Sequence, residues 1–91
     1  MELSDIRAQI DAVDDQLLEL FLQRMALAEE VGRYKKQHQL PILNSGREQA
    51  ILDQVTARAG AHAPYARRLF STLFELARDR QAEILAGDPK G

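Results

Sequence analysis

Between Leu3 and Tyr34, apolar side chains recur at Ile6, Ile10, Val13, Leu17, Leu20, Leu27, Val31 and Tyr34. Steps of four and three alternate along this run, the spacing of a heptad seam on one helical face. Arg24 stands where the next apolar residue of the seam belongs, between Leu20 and Leu27. A guanidinium on a buried seam is costly unless an anion meets it. A second stripe, Leu18, Phe21, Met25, Ala28 and Gly32, flanks the seam and broadens the apolar face. Gly32 costs about 1 kcal/mol against alanine in a helix interior, which suits a closely approaching neighbour.

The pattern predicts a first helix over about residues 4–39. Ser4 or Asp5 is the expected N-cap, and Pro41 stops the helix by pushing its predecessor out of the α region. Some 36 residues make a rod of about 54 Å. A compact monomer of this size has a radius of gyration of about 12 Å and cannot cover such a rod. A homodimer pairing first helix with first helix is therefore expected.

A second helix is predicted over about residues 45–59. Ser45 and Glu48 fit the S-x-x-E capping box, Ile51, Leu52 and Val55 give an apolar face, and Gly60 ends the element. Arg47 and Glu48 precede Ile51 and Leu52 by one turn, so both project from the edge of the inward face. A third helix is predicted over about residues 64–86, with Pro64 in its first turn. Its inward stripe is Leu69, Phe70, Leu73, Ala77, Ile84 and Leu85, interrupted by Gln81. Arg67, Arg68, Arg78, Arg80, Glu75, Asp79 and Glu83 read as a solvated face of mixed sign. Residues 87–91 read as a frayed end or linker. The fold class is all-α: three helices in one domain, residues 1–91, in a helical homodimer.

Composition narrows the chemistry. With 91 residues and a net charge of −2, acids and bases interleave, and no basic field points to nucleic acid. The absence of cysteine rules out disulfides, thiolate nucleophiles and cysteine-based zinc sites, and His38 and His62 have no ligand spacing. No apolar run reaches membrane-spanning length and no signal-peptide pattern opens the chain, so a soluble cytoplasmic protein without metal or cofactor is expected.

What remains is a set of polar groups on apolar faces. Arg24 and Lys35 are eleven residues apart, close to three turns, so they share a face to within about 20°. Arg7 lies about 25 Å before Arg24 on the same helix and cannot share its pocket. In an antiparallel pairing of first helices, however, the Arg7 end of one chain approaches the Lys35 end of the other. Arg24, Lys35, Arg47 and a partner's Arg7 would then form a cationic cluster suited to a small polyanion, above all a carboxylate. Taken singly, each has a plain structural account. Arg24 can snorkel, Lys35 suits a helix C-terminus, Gln81 suits a core edge and Glu48 a cap. The interruption of inward faces on all three helices favours a site.

Ile6-Arg7, Ile10-Asp11, Val13-Asp14 and Leu17, then Arg24, Glu30-Val31-Gly32, Lys35, Pro41 and Arg47-Glu48 resemble the all-helical class of chorismate mutase. The resemblance covers about residues 3–86. It implies an intertwined dimer with two active sites, each built from three helices of one chain and an arginine of the other. It implies that Arg24, Lys35 and the partner chain's Arg7 hold the two carboxylates of chorismate, supported by Arg47. Glu48 would accept a hydrogen bond from the ring hydroxyl, and Gln81 with Lys35 would donate to the ether oxygen. Asn44 stands where that class often has an aspartate and can still bind a hydroxyl. Ala77 stands where a hydroxyl residue can assist a carboxylate and cannot replace it. Weaker binding or an altered loop is the expected consequence.

Chorismate to prephenate is a unimolecular [3,3] rearrangement. It asks for a fixed chair-like conformer and for donors where charge develops on the breaking ether oxygen, not for a nucleophile. Two other readings accompany this one: an isochorismate pyruvate-lyase with a similar cationic pocket, and a non-catalytic dimerisation or regulatory module of a larger shikimate-pathway enzyme. The latter would keep the seam without needing Arg24, Lys35 and Gln81 together.

Overall fold

The computed structural model describes residues 1–87; the predicted tail therefore lies outside the described residues beyond Gly87. Among them the chain is all-α: α1 (Leu3–His38), α2 (Ser45–Ala59) and α3 (Ala63–Leu85), the last two joined by a single 3-10 turn, Gly60–His62. The helix boundaries expected from the pattern hold to within a residue or so, but two caps differ. Glu2, not Ser4 or Asp5, caps α1: its side chain and that of Asp5 form a reciprocal box with each other's backbone N–H. Asn44, not Ser45, caps α2, its Oδ1 accepting from the Arg47 N–H at 3.1 Å. An asparagine one residue upstream reaches the same orphan donors, so Ser45 becomes the first helical residue. Glu48 is thereby released from the expected capping box.

The unusual backbone at the ends of α1 and α2 has a local cause. Gln39 adopts the left-handed region (φ 56°, ψ 41°) and the N–H of Leu40 returns to the Lys35 carbonyl at 2.9 Å, closing α1 just before Pro41. Gly60 takes φ 58° with ψ −129°, a conformation that a side chain would strain, and so turns α2 into the 3-10 link.

The two apolar stripes of α1 have different fates. Ala28 and Gly32 of the flanking stripe are buried and Phe21 and Met25 half-buried, because α3 packs along that stripe. Leu18, in the same stripe, stays exposed, and so does the heptad seam, from Ile6 at 40% exposure to Leu20 at 61%. No residue before Phe21 is covered. The molecule is correspondingly drawn out, 54 × 30 × 13 Å with a radius of gyration of 16.3 Å, where a compact chain of this length would have about 12 Å. Among the described residues no helix is long and apolar enough to cross a membrane.

α3 also packs against α2, whereas α1 and α2 do not pack against each other. The core accordingly follows α3: Phe74, Gln81 and Ile84 are buried, with Ile84 the most enclosed at 2% exposure. Of the predicted inward stripe, Leu69 and Leu85 remain exposed, and Phe74 takes a place the stripe had omitted. The solvated face of α3 also needs correcting. Arg80 pairs with Glu29 of α1 at 2.6 Å and with Glu83, and Arg78 pairs with Glu48 of α2. At the far end Lys36 donates to the Ile84 carbonyl at 3.1 Å, tying α1 to the last turn of α3.

Gly32 is the point of closest approach. A Cβ built there meets Gln81 Cγ at 3.0 Å, Ile84 Cδ1 at 3.2 Å and Gln81 Cα at 3.4 Å. Because Gln81 and Ile84 are both buried, neither can yield freely. Gly32→Ala is expected to lose about 1 kcal/mol of stability, the crowding outweighing the better helix propensity of alanine. A denaturant titration that found the variant stabilised would show that α3 can retreat from α1.

Candidate active site

Because α3 alone bridges the other two helices, a gap opens between α1 and α2 with α3 as its floor. It is a cavity of about 300 Å³. From α1 it receives Arg24, Lys35, Leu27, Ala28 and Val31, from the connection Ile42 and Asn44, from α2 Arg47, Glu48 and Ile51, and from α3 Phe74, Ala77, Arg78 and Gln81. Of the seven residues singled out from the sequence, six meet here: Arg24, Lys35, Asn44, Arg47, Glu48 and Gln81. Arg7 does not. It lies exposed in the uncovered half of α1, as the length of a straight helix requires.

Four cationic side chains therefore face one carboxylate. Arg24 is half-buried, and its guanidinium carbon lies 5.6 Å from the centroid of the Phe74 ring. An aromatic face attracts the cation without neutralising it, a contact of about 0.5–1 kcal/mol. Among the described residues no carboxylate lies within ion-pair distance of Arg24, Lys35 or Arg47. The positive charge of the cavity is thus largely unspent, the condition under which an anion gains most by entering.

The polar donors are held by the backbone. Gln81 is 6% exposed, and its Nε2 donates to the Ala28 carbonyl at 3.1 Å. An amide nitrogen carries two hydrogens, so this bond fixes the side chain and leaves one donor for the cavity. Lys35 Nζ donates to the Ile42 carbonyl at 2.6 Å, which draws the connection over the cavity and leaves two of its three hydrogens. No buried side-chain nitrogen or oxygen among the described residues lacks a partner.

Ile42, Phe74 and Arg78 line the cavity without having been singled out by the apolar pattern. Phe74 and Arg78 lie seven and three residues before Gln81, on the same helical stripe, and that spacing was the available signal. Arg78 was hidden among six other charges assigned to solvent. It donates from Nη1 to both oxygens of Glu48, at 2.6 and 2.5 Å, across the gap between α3 and α2. Asn44 lines the cavity while its oxygen accepts from the Arg47 N–H in the α2 cap. Ala77 adds a methyl group to the floor.

A second, larger hollow of about 550 Å³ adjoins the first. Leu17, Leu18, Leu20 and Phe21 of α1 and Leu69, Phe70 and Leu73 of α3 line it, with Arg24 at the border of both. Its lining is apolar apart from Arg24, whereas the polar and charged groups gather in the first cavity.

The sequence is similar to those of known proteins. Over 50 residues the chain is 46% identical to the T-protein of Haemophilus influenzae, covering 55% of this chain and 13% of that protein. It is 34% identical over 61 residues to the 4-amino-4-deoxychorismate mutase of Streptomyces venezuelae, covering 67% of this chain and 59% of that one. It is also 34% identical over 61 residues to the chorismate mutase of Methanocaldococcus jannaschii, covering 67% of this chain and 62% of that one. The matched regions thus span less than two thirds of these relatives' own lengths. No solved structure matches significantly. The family model described as chorismate mutase type II matches residues 6–82, a span that takes in all three helices and every cationic residue of the cavity. The chain belongs to the chorismate mutase type II family.

Proposed function

We propose that the chain catalyses the rearrangement of chorismate to prephenate, acting as a homodimer in which Arg7 completes the partner's site. The observation that carries the reading is the convergence of Arg24, Lys35, Arg47 and Gln81 with one carboxylate, Glu48, on one small cavity of a chain of the chorismate mutase type II family. Chorismate is a dicarboxylate; the unpaired cations Arg24, Lys35 and Arg47 suit its two carboxylates, and bidentate guanidinium pairing orients as well as attracts. Orientation matters because the flexible ether side chain must be folded over the ring before the new carbon–carbon bond can form.

As the carbon–oxygen bond breaks, negative charge grows on the ether oxygen. Gln81 Nε2 and Lys35 Nζ each have a hydrogen left after their backbone bonds, and both are held before the substrate arrives. Donors that need not reorganise stabilise developing charge more than the starting ether, and this difference accelerates the reaction. Both carbon–oxygen cleavage and carbon–carbon formation occur within one molecule, so no group of the protein gains or loses a proton. Gln81 being a neutral amide, activity requires no protonated acid at that position.

The uncovered seam supports the dimer. The midpoint between Arg7 and the span from Arg24 to Lys35 falls at about Leu18, beside the apolar hollow. A second α1 laid antiparallel about that point would fill the hollow with seam residues and bring its Arg7 opposite Glu29, between Arg24 and Lys35.

Chorismate consumption followed spectrophotometrically, with acid conversion of the product to phenylpyruvate, tests the activity. Arg24→Ala is expected to lower kcat/KM by about a hundredfold or more, a loss of about 3 kcal/mol in transition-state stabilisation. Its folding stability should change by less than about 1 kcal/mol, since only the contact with Phe74 is lost. Unchanged turnover, or none in the wild type, would refute the assignment. The shared site has a sharper test. Arg7→Ala and Arg24→Ala, each nearly inactive, should regain about a quarter of wild-type activity when unfolded together and refolded as an equal mixture. Half of the dimers are then mixed, and one of their two sites is intact. No recovery, or a folded monomer in sedimentation at micromolar concentration, would remove the intertwined dimer.

A further inference from the structure

The pair between Arg78 and Glu48 is not needed to bind a dicarboxylate, yet it occupies the cavity's one acidic group. Arg78 Nη1 lies within 2.6 and 2.5 Å of the two Glu48 oxygens, and both side chains are mostly covered, at 34% and 24% exposure. If Arg24, Lys35 and Arg47 meet the carboxylates of a bound ligand, Glu48 is the charged group left to meet whatever else the ligand carries. Asn44, whose oxygen already accepts from the Arg47 N–H, is neutral and carries no charge with which to tell an ammonium from a hydroxyl. What Glu48 selects depends on its charge. A lone carboxylate in a partly dry cavity attracts an ammonium more strongly than a hydroxyl, whereas a carboxylate already matched by a guanidinium offers lone pairs without net charge.

We propose that Arg78 determines specificity: by cancelling the charge of Glu48 it makes that residue an acceptor for a neutral ring hydroxyl and turns away a ring ammonium in the same position. The inference rests on the proposed mutase reading and deepens it. Arg78 need not touch the substrate; it acts through Glu48, from one turn before Gln81 on α3. A relative that is 34% identical is named for 4-amino-4-deoxychorismate, whose name differs from chorismate by an amino group at ring position 4, so both chemistries are relevant to this scaffold. An aliphatic amine is largely protonated near neutral pH, and this makes the pair of compounds a probe of charge with little change of shape.

The test compares kcat/KM for chorismate and 4-amino-4-deoxychorismate in the wild type, Arg78→Met, Arg78→Lys and Glu48→Gln. The wild type should favour the hydroxyl compound. Arg78→Met, which strips the counter-charge, should move the ratio toward the amino compound by about tenfold or more. Arg78→Lys should hold the ratio near the wild-type value, whereas Glu48→Gln should move it the other way, because the Arg78 charge is then unbalanced. Parallel losses on both compounds in Arg78→Met would mean that the pair only ties α2 to α3, and an unaltered ratio or a wild type that prefers the amine would equally overturn the proposal. Should circular dichroism show Arg78→Met unfolded, the Glu48→Gln ratio decides. A wild type that turns over neither compound removes the mutase reading and this inference with it; one that turns over chorismate with a ratio indifferent to Arg78 and Glu48 removes this inference alone.

Discussion

Everything in the molecule is set out from the contact between α3 and the Ala28–Gly32 stretch of α1. Without a Cβ at Gly32, Gln81 and Ile84 settle against the α1 backbone at distances that would crowd a side chain. That approach buries Gln81 deeply enough for its amide to need a partner, and the Ala28 carbonyl supplies it. A buried amide with one hydrogen spent on the fold still has one to offer the cavity. The same approach commits α3 to the flanking stripe of α1, so the heptad seam is left bare and α2 is held away from α1 by the thickness of α3. The cavity is the consequence of that spacing.

The cavity is electrostatically unbalanced. Each external charge that strengthens α3 has a mate: Arg80 meets Glu29 and Glu83, and Lys36 meets a terminal carbonyl of the helix. Among the described residues, Glu48 and Arg78 are the matched charges of the cavity, while Arg24, Lys35 and Arg47 line it without a carboxylate at ion-pair distance. Partial desolvation of unpaired cations costs free energy, softened for Arg24 by the Phe74 face and for Lys35 by the Ile42 carbonyl. Such an arrangement is what a preorganised anion site requires, since the cost of gathering the charges is met during folding and not at each binding event.

Much of this was legible in the chain. Periods of three and four placed three helices, Pro41 and Gly60 marked two ends, and Arg24 and Gln81 betrayed themselves by interrupting apolar faces. The length of α1 against the size of the domain already showed that its apolar surface outran anything one chain could cover, and the seam is indeed bare. The errors have local causes. Both caps moved upstream because Glu2 and Asn44 also have an oxygen within reach of the first N–H groups, and pattern alone does not choose between adjacent candidates. Leu69 and Leu85 are apolar and fall on the inward stripe by period, yet nothing among the described residues covers them.

Periodicity decides which residues share a face of one helix, because 3.6 residues per turn is a property of the backbone itself. On that ground the sequence alone determined three helices, a long seam with a cation in it, and the common face of Arg24 and Lys35. It could not determine which of two apolar stripes α3 would choose, because that depends on how closely two backbones approach at Gly32. Nor could it pair Arg78 with Glu48, thirty residues apart and on different helices. Charges on separate elements have no fixed relation until packing sets the distance between them, so the partner of the one carboxylate in the cavity was decided by tertiary structure alone.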